Sequence, residues 1–157
     1  MTGTGQRAQT LPGQRLVNVV VRGLLRVPGL SRVLGRRLVT LYVVGRKTGR
    51  RYTIPVAYEL EGEQVLVGTS FAWARNLRTG DAVAVRLRGR RRWCDVEVHV
   101  AEAEVVAAYR RMARANPAFA TFNGIRRGHD GEPDGGDLVS AWQGGARVLR
   151  LTPRPTG

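Results

Sequence analysis

Little in this chain could do acid, base or nucleophilic chemistry. Its only histidines are His99 and His129, and its only cysteine is Cys94. Neither histidine has a carboxylate at a spacing that would make a catalytic pair, and His129 sits in the acidic run His129-Asp130-Gly131-Glu132. No metal motif and no catalytic triad can be assembled from such an inventory. If the protein is an enzyme, a bound cofactor has to carry the reactivity while the chain supplies binding and orientation.

Two segments are suited to holding a cofactor. Gly45-Arg46-Lys47-Thr48-Gly49-Arg50-Arg51 gathers two glycines, a hydroxyl and four cations into seven residues. Glycines free the backbone to turn N–H groups toward an anion, and the cations neutralise it. The spacing is not that of a P-loop, and a basic glycine turn that only joins two strands would read the same way. Lys47 stands out because it is the single lysine among 26 basic residues. A compact ammonium in a tight turn is not interchangeable with the wider guanidinium fork. The second segment is Ser70-Phe71-Ala72-Trp73-Ala74-Arg75-Asn76-Leu77, where Ser70 or Thr69 can cap a short helix that sets Trp73 and Asn76 three apart on one face. A tryptophan beside an amide can floor a planar ring. A core tryptophan with a capping asparagine is the other role open to the pair.

The charge is distributed as if to meet an anion. The 157 residues carry 26 basic and 12 acidic side chains, a net charge of +14. Residues 1–58 hold ten Arg and one Lys with no acid, whereas 15 Arg face all 12 acids from Glu59 onward. Nucleic acid, an acidic membrane surface or a small polyanion could each exploit that field. Against nucleic acid, the aromatics are few and not interleaved with the basic run, as a stacking platform requires. No apolar run approaches the ~20 residues of a spanning helix. The N-terminus does not read as a signal peptide, and a single cysteine allows no internal disulfide. A cytoplasmic protein is the expectation, with peripheral membrane contact through a basic N-terminal helix left open.

With 43% hydrophobic residues, the chain predicts one globular domain over residues 14–157 behind a disordered tail at residues 1–13. Leu16, Val20, Leu24 and Val27 fall at helical spacing before the breaker Pro28, predicting two short amphipathic helices between Arg15 and Leu34. The period then changes to two. Val39 to Gly45 and Arg51 to Leu60 read as a hairpin around the basic turn, Gln64 to Ser70 as a third strand, and Ala82 to Arg88 as a fourth that Gly89 turns into a fifth. In the fifth, Cys94 shares the core face with Val96, and His99 falls on the solvated face. A helix over residues 102–115 stops at Asn116-Pro117, and Phe119, Phe122 and Ile125 form an apolar cluster beyond it. Residues 126–137 read as a mobile loop, and Leu138 to Gln143 and Ala146 to Leu151 as late strands joined by Gly144-Gly145. The sum is α+β and mainly antiparallel, a β-barrel of about six strands with an N-terminal amphipathic helix and one or two further helices.

Gly45-Arg46-Lys47-Thr48-Gly49, then Pro55, then Trp73-x-x-Asn76-Leu77, together resemble the deazaflavin-dependent nitroreductase family, split β-barrel oxidoreductases that use coenzyme F-420. The likeness runs from about Asn18 to Thr152. It implies that Arg46, Lys47, Thr48 and Gly49 hold the cofactor's phosphate and acidic tail, and that Pro55, Val56 and Ala57 run beside the deazaflavin. It implies too that Ser70, Trp73 and Asn76 line the pocket, Ser70 and Trp73 on the substrate side, and it assigns no catalytic residue. Reduced deazaflavin would pass a hydride to an electron-poor quinone, nitroaromatic or enone. The alternatives are a flavin mononucleotide (FMN)-binding split barrel and a non-enzymatic basic module for nucleic acid or membrane. The chain departs from the family pattern in having only Phe71-Ala72 between Ser70 and Trp73, and Phe119 and Phe122 at the later aromatic positions.

Overall fold

The computed structural model describes residues 37–156. The tail at residues 1–13 and the helices expected between Arg15 and Leu34 lie outside the described residues. The expected hairpin forms: β1 (Leu38–Val44) pairs antiparallel with β2 (Arg51–Ala57), Val44 opposite Arg51 and Leu38 opposite Ala57. Only Tyr58 separates β2 from β3 (Glu59–Glu61), which turns into β4 (Gln64–Thr69). A 3-10 helix over Ala72–Asn76 leads to the hairpin of β5 (Ala82–Leu87) and β6 (Arg90–His99). Helices α1 (Glu102–Ala115), α2 (Pro117–Phe122) and α3 (Gly135–Gln143) precede β7 (Arg147–Pro153).

The seven strands form one antiparallel sheet in the order β2-β1-β5-β6-β7-β4-β3. Its edges, β2 and β3, are consecutive in the chain. Laid flat, seven strands at ~4.8 Å spacing would put those edges ~29 Å apart, far beyond the reach of one residue. The sheet therefore curls until its edges meet, and the result is the split barrel that the sequence resemblance implies. Tyr58 marks the crossing, and its N–H donates to the Arg37 carbonyl at 3.1 Å. The strand read as Arg51 to Leu60 breaks there because β2 and β3 serve opposite edges.

Two apolar layers follow from the alternation of side chains along the strands. Val39, Leu41, Val43, Val65, Val67, Val83, Val85, Cys94, Val96, Leu149 and Leu151 fill the barrel. The intervening Leu66 and Val148 face outward under Val105, Tyr109 and Met112 of α1, Phe119 of α2 and Leu138 of α3. Burial pushes the Cys94 thiol above its ordinary pKa, so it remains a protonated core group.

Residues 138–143 correct the sequence reading: they belong to α3 and not to a strand, which makes three α-helices among the described residues. Asp134 caps that helix by accepting the Asp137 N–H at 2.9 Å, and Leu138, Ala141 and Trp142 recur at helical spacing to cover the second core. Residues 126–134 form the loop before α3, tied to α3 and to α1 by ion pairs. Arg126 pairs with Asp137 at 2.8 Å and Arg114 with Glu132 at 2.6 Å, and these partners hold both carboxylates below their ordinary pKa.

Tyr109 packs edge-on against Phe119, ring centroids 5.1 Å apart, and is fully buried. No described group meets its hydroxyl, and desolvation raises its pKa well above the ordinary tyrosine value. Removing a buried hydroxyl that no partner satisfies relieves a desolvation cost. Tyr109→Phe is therefore expected to unfold at the parent's temperature or above it, by up to about 1 kcal/mol of stability. A clear fall in melting temperature would show that the hydroxyl is bonded in solution.

Candidate functional site

The β1–β2 turn carries the first part of the site. Its backbone closes on itself, Gly45 N–H donating to the Arg50 carbonyl at 2.7 Å and Gly49 N–H to the Gly45 carbonyl at 2.9 Å. Gly49 has φ of +69°, a conformation that favours glycine, and Thr48 Oγ1 accepts the Arg50 N–H at 3.3 Å. Lys47, Thr48, Arg50 and Arg51 are exposed. Among the described residues no acceptor meets the Lys47 or Thr48 amide, and no carboxylate pairs with the Lys47 ammonium. The turn thus presents two backbone donors, a hydroxyl and several cations to solvent, which is the donor set for a phosphate or carboxylate.

Arg46 behaves differently from its neighbours. Its backbone N–H donates to Asn76 Oδ1 at 3.1 Å, its Nε to the Asn76 carbonyl at 2.9 Å, and its Nη2 to Asp81 Oδ2. Asn76 is fixed in turn, because its Nδ2 donates to the Trp73 carbonyl at 2.9 Å. Two residues that sequence reasoning placed in one site, 30 positions apart, are thus in direct contact. Asn76 acts as a strap between turn and 3-10 helix. Trp73 lies in the barrel core at 4% exposed, where its indole anchors that helix.

The second part of the site is a cleft at the opposite end of β2. Val56 and Ala57 form one wall and Gly68, Thr69, Ser70 and Phe71 a second. The third comes from α2 and the residue after it, through Ala118, Phe119, Phe122 and Asn123. Phe71 and Phe122 stand at 6.2 Å between ring centroids, tilted by 53°. Asn116 holds α2 in place, its Oδ1 accepting the Ala118 and Phe119 N–H groups at 3.0 and 3.3 Å. The Asn116-Pro117 pair that ends α1 also starts α2, as expected for an asparagine N-cap followed by proline. Thr69 Oγ1 accepts the Phe71 N–H at 3.1 Å, while Ser70 is exposed on the rim and makes no cap to the 3-10 helix.

Along β2, turn and cleft are roughly 17 Å apart from Arg51 to Val56, at ~3.3 Å per residue. A ligand that used both would have to be elongated, anionic at one end and flat and apolar at the other. Pro55, on edge strand β2 next to this wall, needs no sheet hydrogen bond on its outer side. Of the expected residues, Val56, Ala57 and Ser70 line the cleft, Lys47, Thr48 and Gly49 form the turn, and Arg46 and Asn76 join the turn to the helix between them. Sequence reasoning missed Gly68, Phe71, Phe122, Asn123 and Asp81. Phe71 and Phe122 carried a signal as aromatics in polar surroundings, but nothing local marks Asp81 as a neighbour of Arg46.

His99 stands apart from this site. Its Nε2 and Nδ1 lie 2.8 Å from Glu97 and Glu104, a more enclosed setting than the solvated strand position expected. Among the described residues no group of histidines, cysteines and carboxylates could hold a metal, and no helix is long and apolar enough to cross a membrane.

The sequence profile described as F-420H(2)-dependent quinone reductase matches residues 18–124, a stretch that contains the turn, β2, the 3-10 helix and α2. No curated protein matches the chain. A crystal structure of a protein of unknown function from Agrobacterium tumefaciens superposes with a TM-score of 0.50 at 15% identity, over 80% of this chain and 53% of that one. The chain therefore spans about half the length of that protein, and the likeness is one of fold. A solved F-420 reductase gives a TM-score of 0.45 at 15% identity over 82% of this chain and 97% of its own. A conserved hypothetical protein from Mycobacterium tuberculosis gives 0.46 at 13% identity over 82% of each chain.

Proposed function

The chain belongs to the F-420H(2)-dependent quinone reductase family, and from that premise we propose that it is an oxidoreductase that binds coenzyme F-420 across the turn and the cleft. The observation that carries the proposal is the pairing of a cationic turn, whose Lys47 meets no carboxylate among the described residues, with an apolar cleft along a single strand. The coenzyme has that shape: a flat deazaflavin at one end, a lactyl phosphate and several glutamates at the other. The donor set of the turn fits the phosphate and glutamates, and the walls of the cleft fit the ring. The family match favours F-420 over FMN, and the acceptor we propose is a quinone-type small molecule, with nitroaromatics and enones as further electron-poor candidates.

When bound, reduced F-420 supplies the hydride. The chain has to hold the ring and the acceptor in contact and keep water out. Val56, Ala57 and Ala118 offer flat apolar surface to the rings, and the Phe71–Phe122 pair covers the acceptor side. Thr69 accepts the Phe71 N–H with its Oγ1, which leaves its own hydroxyl proton to donate, and the Ser70 hydroxyl stands on the rim. Either can hydrogen-bond a quinone oxygen as negative charge develops there, with the final proton drawn from solvent. Lys47 and the Lys47 and Thr48 amides anchor the far end of the coenzyme, so that tail binding orients the ring.

A side-by-side fluorescence titration with F-420 and FMN tests this reading. F-420 is expected to saturate the protein and FMN to bind much more weakly. F-420 affinity should fall as ionic strength rises, because multiply charged partners are screened, and forms with fewer glutamates should bind less tightly. Affinity that ignores both salt and glutamate number would assign the cationic turn to another partner. Tighter binding of FMN would overturn the cofactor.

A further inference from the structure

We propose that Asp81 is a positioning residue for the anion site: it holds the Arg46 guanidinium, and through it the whole turn, in the orientation that presents Lys47 and Thr48. The proposal rests on the reading that this turn receives the anionic tail of the cofactor. Three hydrogen bonds commit Arg46 to the protein: its N–H to Asn76 Oδ1, its Nε to the Asn76 carbonyl and its Nη2 to Asp81 Oδ2. Bonds from both Nε and Nη2 fix the plane of the guanidinium against the protein, and its remaining N–H groups are presented in one set direction. That use also accounts for an arginine at position 46 beside a lysine at position 47. Only a planar fork can reach a carbonyl and a carboxylate together, whereas a compact ammonium suits the exposed point of contact.

Asp81 is itself rooted in the barrel. Its Oδ2 accepts the Arg78 N–H at 2.8 Å, its own N–H donates to the Arg78 carbonyl at 3.0 Å, and its carbonyl accepts the Val96 N–H at 2.9 Å. Gly80 N–H donates to the Val96 carbonyl at 3.0 Å, and Thr79 Oγ1 accepts the Val98 N–H at 3.0 Å. A continuous path of hydrogen bonds therefore runs from β6 through Asp81 and Arg46 to the turn, which otherwise hangs on the two strands of its hairpin and on Asn76. Supporting groups of this kind set the orientation of the residues that touch a ligand.

Electrostatics alone predicts the opposite effect, which makes the role testable. Asp81 is an acid in a cationic neighbourhood, so if it acted only through its field, its removal would strengthen the attraction for an anion and tighten binding. A positioning role predicts loosening. In the full-length protein, Asp81→Asn is expected to weaken F-420 binding about ten-fold, the lower end of the cost of removing a supporting partner. Arg46→Lys should cost a similar factor, and the double variant should be no weaker than either single one, because the two residues act as a unit. With a soluble naphthoquinone as acceptor, the KM for F-420 should rise while kcat at saturating F-420 stays at the parent value. General damage to the barrel would lower kcat as well, along with the melting temperature. Tighter binding by Asp81→Asn, an unchanged affinity, or additive losses in the double variant would overturn the proposal while leaving the cofactor reading intact. If Lys47→Ala binds F-420 equally well, the turn is not the anion site and this proposal falls while the cofactor reading stands; if the parent protein does not bind F-420, both fall.

Discussion

Lys47→Ala is expected to weaken F-420 binding by about 1.5–3 kcal/mol, roughly ten- to 150-fold in Kd, and to leave thermal unfolding nearly unchanged. The range is that of a charge-assisted hydrogen bond whose partner is lost. The small effect on stability follows from the structure. Lys47 is exposed at the turn, and no described carboxylate pairs with it, so its removal breaks no internal contact. Lys47→Arg should recover only part of the loss, since the wider guanidinium has to displace the turn to bring a donor to the same oxygen. Arg78→Ala is the internal control. Arg78 contributes only its backbone to the Asp81 turn and its side chain is exposed, so truncation should cost little. If Lys47→Ala binds like the parent, or Arg78→Ala is equally damaging, the charge of the N-terminal third acts as a diffuse field and not as a site.

The largest effect on stability is expected at Gly68. A Cβ placed there would lie 2.6 Å from Tyr109 Cε1, 3.0 Å from Tyr109 Cζ and 3.1 Å from Phe119 Cζ. Neither ring can retreat, because Tyr109 is fully buried and the two are packed edge to face. Overpacking of this kind costs about 1–3 kcal/mol, and Gly68→Ala belongs near the upper end because the obstacle is a pair of interlocked rings. At ~2–4 °C per kcal/mol for a chain of this size, the melting temperature should fall by about 5–10 °C. Tyr109→Phe should not rescue the variant, since the clash is with ring carbons and not with the hydroxyl. Melting of Gly68→Ala at the parent temperature would mean that α1 and α2 can shift away from the sheet. Gly68 also lines the cleft, so cofactor or acceptor binding should weaken together with stability.

The local structure of this protein was legible wherever short-range chemistry decides it. Alternating Val83, Val85 and Leu87 against Arg86 and Arg88 marked β5, the glycines around Lys47 marked the turn, and Asn116-Pro117 marked the end of α1. The same local logic misled at Leu138 to Gln143. There the flanking glycines suggested a strand between turns, while Asp134 as a cap and the helical recurrence of Leu138, Ala141 and Trp142 make a helix. For Trp73 the sequence left two roles open, and the fold places it in the barrel core. The ends of the sheet, by contrast, meet only because β2 and β3, one residue apart, pair with different neighbours and force the curl. That curl packs α2 over the cleft, while the pairing of β1 with β5 brings Arg46 against Asn76 and Asp81, contacts spanning 30 and 35 residues. Residue types and spacing determine which groups can bind an anion, because that depends on donors, charge and backbone freedom within a few residues. Which of them stay free at the surface and which are spent holding the others in place is decided by strand pairing, since β1 lies beside β5 and so meets partners distant in sequence.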